Sequence, residues 1–147
     1  MRIGVIGSGT MGNGIAHTFA SNGYQVLLHD IKKEFLEKGV STIQKNLNRF
    51  LDKGKITKED INLTLDNIST TTSLENMKDR ELIIEAATEN FNIKASIFNQ
   101  LDQITSDECI LASNTSSISI DKIADATDRP SKVIGMHFMN PVPIMKL

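Results

Sequence analysis

The fold of this chain can be inferred from one stretch near its start, RIGVIGSGTMG, which covers residues 2–12. The first five residues are largely apolar, a composition typical of a short buried β-strand. Glycines follow at positions 7, 9 and 12, and apolar residues then recur at helical spacing over residues 11–22. A strand, a glycine-rich turn and a helix in direct succession form the opening of a βαβ unit.

The rest of the sequence continues this alternation. The clearest amphipathic helix is predicted over residues 35–51, where Leu36, Val40, Ile43 and Leu47 form one apolar stripe. Thr57 is predicted to cap the next helix. Further strands are predicted at 25–29, 82–86, 109–113 and 133–138, and further helices at 58–67, 93–101 and 119–127. This order predicts a Rossmann-type, doubly wound α/β fold, with a mainly parallel sheet and helices on both faces. Ligands of such a sheet bind beyond the carboxyl ends of its strands.

Length and composition exclude several classes of protein. A chain of 147 residues is expected to form one domain, here 1–147. The net charge of −2 argues against a nucleic-acid binder that works by bulk charge. No apolar run is long enough for a membrane helix, so we expect a cytoplasmic protein without a membrane partner. The single cysteine, Cys109, excludes a disulfide framework and a cysteine-rich zinc site, and no metal is predicted.

The glycine loop and the acid at the end of the second strand predict a dinucleotide site. Gly7 permits the tight turn, Gly9 lets a pyrophosphate approach the backbone, and Gly12 lets the helix pack close to the strand. Asp30 follows Gly12 by 18 residues, near the position expected for an acid that binds the adenosine ribose. A carboxylate there repels a 2′-phosphate, which favours NAD over NADP. The simpler interpretation of Asp30 is a solvated acid at a strand end.

The region 32–58 is strongly basic, with a net charge of +5 against −7 for the rest of the chain. Lys45, Arg49 and Lys53 recur every four residues on one helix face, and Asn46 shares a face with Lys53. One interpretation is a solvated polar face. The other is a cationic ledge for an anionic substrate, such as a phosphorylated carrier.

Two further motifs follow predicted strands. The small polar residues at 113–117 suit either a pocket lined with hydrogen-bond donors or a loop that caps the next helix. His137, near the end of VIGMHF, suits a general base because imidazole titrates near neutrality, although a single histidine is more often structural. His17 and His29 are predicted to be structural. Cys109 is predicted to be a buried strand residue.

These motifs together resemble the 3-hydroxyacyl-CoA dehydrogenases, and within them the bacterial 3-hydroxybutyryl-CoA dehydrogenase subgroup. The resemblance spans the whole chain. The motifs that carry it are GSGTMG at 7–12, Asp30, EAATENFNIK at 85–94, ASNTSSISI at 112–120 and GMHFMNPVPIMKL at 135–147.

The resemblance implies a role for each matching residue. The NAD(H) site would contain Gly7, Ser8, Gly9, Thr10, Met11, Gly12, Asp30, Glu89, Lys94, Asn114 and Ser116. The acyl-CoA substrate would contact Asn46, Lys53, Lys94 and Ser116. His137 would be the catalytic base, and Ser116 would hydrogen-bond the reacting oxygen. Without the resemblance, Glu89 and Lys94 would be expected to be exposed residues at a helix start.

The resemblance also implies parts that these 147 residues do not contain. Family members carry a helical C-terminal domain that holds a homodimer and closes the cleft, and a glutamate beyond Leu147 would orient the catalytic histidine. A base without its orienting acid can lose about 10⁴-fold in rate, as serine proteases illustrate. We therefore expect the 147 residues alone to bind NAD(H) and to turn over poorly.

Two alternatives remain at this stage. One is a sugar-acid dehydrogenase of the gulonate type, which shares the glycine loop and the histidine region but needs no cationic ledge. The other is a non-catalytic NAD(H)-binding module. The basic region at 32–58 favours the acyl-CoA enzyme over the first alternative.

Overall fold

A computed structural model describes all residues, Met1–Leu147. Six parallel strands form one sheet in the order β3-β2-β1-β4-β5-β6. The strands are β1 (Arg2–Ile6), β2 (Gln25–His29), β3 (Ile68–Thr71), β4 (Leu82–Glu85), β5 (Ile110–Ser113) and β6 (Val133–Gly135). The helices are α1 (Thr10–Ser21), α2 (Lys33–Asp52), α3 (Lys58–Asp66), α4 (Phe91–Ile104) and α5 (Ile120–Ala124), with 3-10 turns at Leu74–Met77 and Pro130–Lys132. The predicted doubly wound α/β fold is confirmed.

The two faces of the sheet bury separate apolar clusters because successive strand residues point to opposite sides. Ile3 and Val5 of β1 pack with α1, α2 and α3, whereas Ile6 packs with α4 and α5. The predicted stripe of α2 faces the first cluster through Leu36, Ile43 and Leu47. Both faces are therefore covered, as the nearly continuous apolar strands require.

The predicted cap of α3 is present. The Thr57 side chain accepts a hydrogen bond from the Asp60 backbone N–H, and the Asp60 carboxylate accepts one from the Thr57 backbone N–H at 2.7 Å. These contacts lower the pKa of the Asp60 carboxyl below its usual value, chiefly through the Thr57 backbone N–H.

The structure differs from the prediction at four strands, one of which, β4, ends a single residue earlier than predicted, at Glu85. The prediction omitted β3, because its sequence ISTT is polar and only half-buried; β3 is an edge strand paired with β2. The strand predicted over 133–138 ends at Gly135, so His137 lies in the loop beyond β6. Cys109 is buried as predicted but directly precedes β5. None of the helices is both long enough and apolar enough to cross a membrane.

Candidate functional site

The carboxyl ends of β1 and β4 lie side by side in the middle of the sheet, with Ile6 beside Glu85. The helices that follow these strands, α1 and α4, pack on opposite faces. Their connecting loops therefore diverge and leave a crevice, which is the usual ligand site of a doubly wound sheet.

The glycine loop has the shape that a dinucleotide requires. Gly7 has a φ of 92°, and a Cβ atom there would lie 2.7 Å from the Ala86 carbonyl oxygen. A Cβ atom at Gly12 would lie 1.7 Å from the Gly7 carbonyl oxygen, so no side chain fits between α1 and β1. A Cβ atom at Gly9, in contrast, would meet nothing within 4 Å. The space beside Gly9 is open where a pyrophosphate would approach the amino end of α1.

Asp30 lies directly beside this loop. Its Oδ2 atom accepts hydrogen bonds from the backbone N–H and the hydroxyl of Ser8, both at 2.7 Å, and its Oδ1 atom accepts one from the Ile31 N–H at 2.8 Å. A cleft of about 1100 Å³ runs from Gly9 and Asp30 to Ala86 and α4. The carboxylate is therefore held at the mouth of a cleft large enough for an adenosine group.

A buried ion pair supports the loop after β4. The Lys94 Nζ atom donates to both carboxylate oxygens of Glu85, at 2.8 and 2.9 Å, and the two side chains are 1% and 0% exposed. The same carboxylate accepts hydrogen bonds from the Ala87 backbone N–H and the Ser113 hydroxyl, both at 2.7 Å. The expectation that Lys94 is exposed is wrong, because this network compensates its charge inside the protein.

Glu89 anchors the polar loop after β5. Its Oε1 atom accepts hydrogen bonds from the Thr115 hydroxyl and from the N–H and hydroxyl of Ser117, and its Oε2 atom lies 3.6 Å from Lys94 Nζ. These contacts, the Thr115 bond first, lower the pKa of Glu89 to about 2. Unlike Lys94, Glu89 is exposed as expected, with 41% of its side chain accessible.

His137 shares a pocket of about 370 Å³ with Met11, Glu89, Asn114 and Ser116. Its Nδ1 atom lies 3.3 Å from the Asn114 carbonyl oxygen, and the ring is exposed. The Asn114 side-chain oxygen accepts a hydrogen bond from the Phe138 N–H at 2.8 Å. The structure thus brings together His137, Ser116, Glu89 and Asn114 from three different loops, with Lys94 from α4.

A second groove, of about 380 Å³, runs between α2 and the segment after His137, and shares Gly9 and Asp30 with the cleft described above. Asn46 lines it together with Lys38 and Thr42, which the sequence prediction did not include although they precede Asn46 by eight and four residues on the same helix face. Lys53 caps the carboxyl end of α2 and does not line the groove.

The segment after His137 packs directly on α1. A Cβ atom at Gly14 would lie 2.9 Å from the Cβ atom of Val142, which is itself buried. The chain from His137 to Val142 therefore lies across the helix whose amino end carries the glycine loop.

The other two histidines are buried and lie outside this pocket. The ring Nδ1 atoms of His17 and His29 have no hydrogen-bond partner. Burial lowers the pKa of His17 to about 4. Burial also lowers the pKa of His29, although the neighbouring Asp30 carboxylate opposes this shift.

The fold, the glycine loop and the strand-end acid define a dinucleotide-binding domain of the Rossmann type. Residues 2–147 match the family described as "3-hydroxyacyl-CoA dehydrogenase, NAD binding domain". The chain belongs to this family and is one of its NAD-binding domains.

Similar proteins agree with this membership. The chain is 50% identical over 147 residues to a 3-hydroxybutyryl-CoA dehydrogenase of Clostridioides difficile, covering all of this chain and 52% of that protein. A crystal structure of (S)-3-hydroxybutyryl-CoA dehydrogenase from Ralstonia eutropha superimposes with a TM-score of 0.97 at 46% identity, covering 99% of this chain and 52% of that one. The chain spans about half the length of these relatives.

Proposed function

We propose that this chain is the cofactor domain of an oxidoreductase that interconverts (S)-3-hydroxyacyl-CoA and 3-ketoacyl-CoA, with 3-hydroxybutyryl-CoA as the substrate. The observation that carries this proposal is the pocket in which His137 and Ser116 lie next to the glycine loop's Met11. The names of the relatives support the acyl-CoA substrate. The same names favour an acyl-CoA dehydrogenase over a sugar-acid dehydrogenase and over a non-catalytic NAD(H)-binding module.

The glycine loop and Asp30 would hold NAD(H). The N–H groups at the start of α1 would suit the pyrophosphate, and the space beside Gly9 is open to it. The Asp30 carboxylate suits the ribose hydroxyls, and its charge disfavours a 2′-phosphate. When bound, the cofactor would accept or supply the hydride.

His137 and Ser116 would handle the proton and the reacting oxygen. In oxidation, His137 would take the proton of the C3 hydroxyl; in reduction, the protonated ring would return it to the forming alkoxide. The Ser116 hydroxyl would hydrogen-bond the same oxygen. Glu89 supports Ser116 in this position, because the Ser116 backbone N–H donates to Glu89 at 3.2 Å.

The CoA group would lie along the basic region of α2. Asn46 lines the groove there, and Lys38 adds a positive charge to its wall. Lys53 would contact CoA only where the ligand extends beyond the carboxyl end of α2. Lys94 gives two of its three N–H groups to Glu85, so one remains for the implied contacts with cofactor or CoA.

We further propose that the 147 residues alone are catalytically impaired. No acidic side chain pairs with His137, whose Nδ1 atom has the Asn114 backbone carbonyl as its hydrogen-bonding partner. In the complete enzyme, a helical C-terminal domain would supply the orienting acid and the homodimer contact. We also propose a cytoplasmic location, which cell fractionation would check.

The test combines two measurements on the 147-residue protein: a fluorescence titration with NADH, and NADH oxidation with acetoacetyl-CoA. We expect saturable NADH binding and slow oxidation that His137→Gln abolishes. Asn67→Ala is the control, since this asparagine bonds to the distant Ala20 carbonyl. Absence of NADH binding would contradict the cofactor site, and oxidation unchanged in His137→Gln would contradict the catalytic base.

A further inference from the structure

The first turn of the glycine loop is bonded to the end of β2. The Gly7 backbone N–H donates to the His29 carbonyl oxygen at 2.8 Å. At the next residue both donors go to one atom, because the N–H and the hydroxyl of Ser8 each donate to Asp30 Oδ2 at 2.7 Å. The loop and the strand-end acid are therefore joined directly, and the Ser8 hydroxyl supplies the only side-chain donor in this connection.

Helix α2 confines Ser8 from the other side. A Cβ atom at Gly39 would lie 2.9 Å from the Ser8 carbonyl oxygen and 3.0 Å from the Ser8 Cβ atom, so the helix and the loop are already in close contact. Ser8 is only 4% exposed, and this packing leaves its side chain little room to move. The hydroxyl therefore stays directed at Asp30, and little of Ser8 can touch a ligand.

These bonds determine which part of the Asp30 carboxylate a ligand can use. An ionised carboxylate has about four acceptor positions, two on each oxygen. The two Ser8 donors fill those on Oδ2, whereas Oδ1 accepts only the Ile31 N–H, at 2.8 Å. Oδ1 therefore keeps a free acceptor position. Asp30 lines the large cleft, whereas Ser8 does not.

A carboxylate held in this way cannot turn aside when a ligand arrives. A ribose hydroxyl meets an acceptor that is already in place, so no free energy is lost in ordering the side chain. A 2′-phosphate meets a negative charge that cannot move away from it. Fixing Asp30 therefore acts on both ligands, in opposite directions.

We propose that Ser8 is a positioning residue for Asp30, whose hydroxyl fixes the carboxylate for a ribose hydroxyl and thereby strengthens the preference for NAD(H) over NADP(H). This inference rests on the proposed function, which puts the adenosine ribose at Asp30. Ser8 then belongs to the NAD(H) site through Asp30 and not through its own contact with the cofactor.

Two ligands that differ only in the ribose test this by calorimetry on the 147-residue protein: ADP and 2′,3′-dideoxy-ADP. Ser8→Ala removes a hydrogen bond to a charged group, and we expect it to weaken ADP binding by about three- to tenfold. Binding of dideoxy-ADP should not change, since this ligand has no hydroxyl for Asp30. Ser21→Ala is the matched control, because its hydroxyl donates to the His17 carbonyl oxygen at the far end of α1, and it should change neither affinity.

Cofactor preference is the second measurement. In Ser8→Ala, fluorescence titrations should show weaker binding of NADH without weaker binding of NADPH, so the ratio of the two affinities falls. Adding Ser8→Ala to Asp30→Ala should have no further effect, because the hydroxyl acts only through the carboxylate. Circular dichroism establishes that Ser8→Ala is folded, and Ser8→Cys, with a much weaker donor, should give the same results.

Two results would overturn the inference while NADH still binds the unmodified protein. One is an equal loss of ADP and dideoxy-ADP affinity in Ser8→Ala, which would mean that the hydroxyl only supports the shape of the loop. The other is an unchanged ratio of NADH to NADPH affinity. If the unmodified protein does not bind NADH, the proposed cofactor site itself is contradicted, and the inference with it.

Discussion

Lys94 and Glu85 form an ion pair that solvent hardly reaches, with Lys94 Nζ at 2.8 and 2.9 Å from the two carboxylate oxygens. The pair lies at the carboxyl end of β4, directly under the pocket that contains His137. Removing two charges from water is costly, and the attraction between them offsets this only when the remaining hydrogen bonds are made. Ala87 and Ser113 supply those bonds, so the pair joins three segments of the site.

Removal of one member of this pair should destabilise the fold strongly. Lys94→Met leaves the Glu85 carboxylate buried without its counter-charge, and we expect a loss of about 3–5 kcal/mol in the free energy of unfolding. Urea denaturation measures this. The double variant Glu85→Gln with Lys94→Met should lose less, because it removes the charge that the single variant leaves unpaired.

A matched control for this prediction is Lys132→Met, which breaks an ion pair of similar length, 2.7 Å, with the exposed Glu108. Solvent already screens that pair, so the free energy of unfolding should change much less. If Lys94→Met and Lys132→Met lose the same free energy of unfolding, the burial of the ion pair does not determine that loss.

Glu89 should make the protein sensitive to strong acid. Its pKa is lowered to about 2 in the folded protein from an ordinary value of 4.5. Its stabilising contribution is therefore complete above about pH 4.5 and is lost as the pH falls towards 2. In Glu89→Gln, the free energy of unfolding should fall less steeply across this window. Glu34→Gln, which changes an exposed acid on α2, should leave the slope unchanged.

His17 should make the free energy of unfolding depend on pH in a higher range than Glu89 does. Burial lowers its pKa from 6.5 to about 4, so the unfolded chain binds a proton more readily than the folded protein. Stability is then fully present above about pH 6.5 and decreases as the pH falls to 4, by about 3 kcal/mol over the full shift. His17→Met should flatten the dependence of the free energy of unfolding on pH in this window. If the free energy of unfolding still depends on pH in this window in His17→Met, another titrating group must be the cause.

Gly9→Ala should separate cofactor binding from folding. A Cβ atom at Gly9 meets no protein atom, and its φ of −62° is open to any residue, so the free energy of unfolding should change by less than about 0.5 kcal/mol. The methyl group would nevertheless occupy the approach to the N–H groups of α1 and should weaken NADH binding markedly. The titration described above measures this.

Gly23→Ala gives the opposite result and serves as the comparison. Its φ of 82° disfavours alanine, so stability should fall while NADH binding is preserved. If Gly9→Ala bound NADH normally, the pyrophosphate would lie elsewhere.

The sequence predicted the sheet and its ligand edge because those depend on local patterns. Each of these patterns can be recognised within a short stretch of sequence: the apolar strands, the three glycines and the apolar stripe of α2. It did not predict β3, since an edge strand with little burial needs no apolar run. It also did not predict the burial of Lys94, because its compensating partner Glu85 is nine residues away and comes into contact only when α4 packs on the sheet.

The site was predictable where a motif carries it and less so where tertiary contacts do. The motifs at 112–120 and 135–147 singled out Ser116 and His137, and these two residues share a pocket because parallel strands end at one edge of the sheet. Glu89 instead acts through residues 26 to 28 positions away, which no local pattern relates to it. Lys53 follows Asn46 at a helical spacing of seven residues, but α2 ends one residue before it, so this spacing does not place Lys53 in the groove that Asn46 lines.

The close contact between Gly14 and Val142 should couple two processes that involve distant parts of the chain. One is dinucleotide binding at the glycine loop, and the other is opening of the segment after His137. The residues after His137 can leave the body of the domain only by separating from α1, whose amino end carries the glycine loop. A dinucleotide that steadies this end of α1 should therefore also raise the free energy of opening the terminal segment. By thermodynamic linkage, any contact that holds that segment in place should in turn tighten cofactor binding. Occupancy of the cofactor site and ordering of the terminal segment should therefore change together.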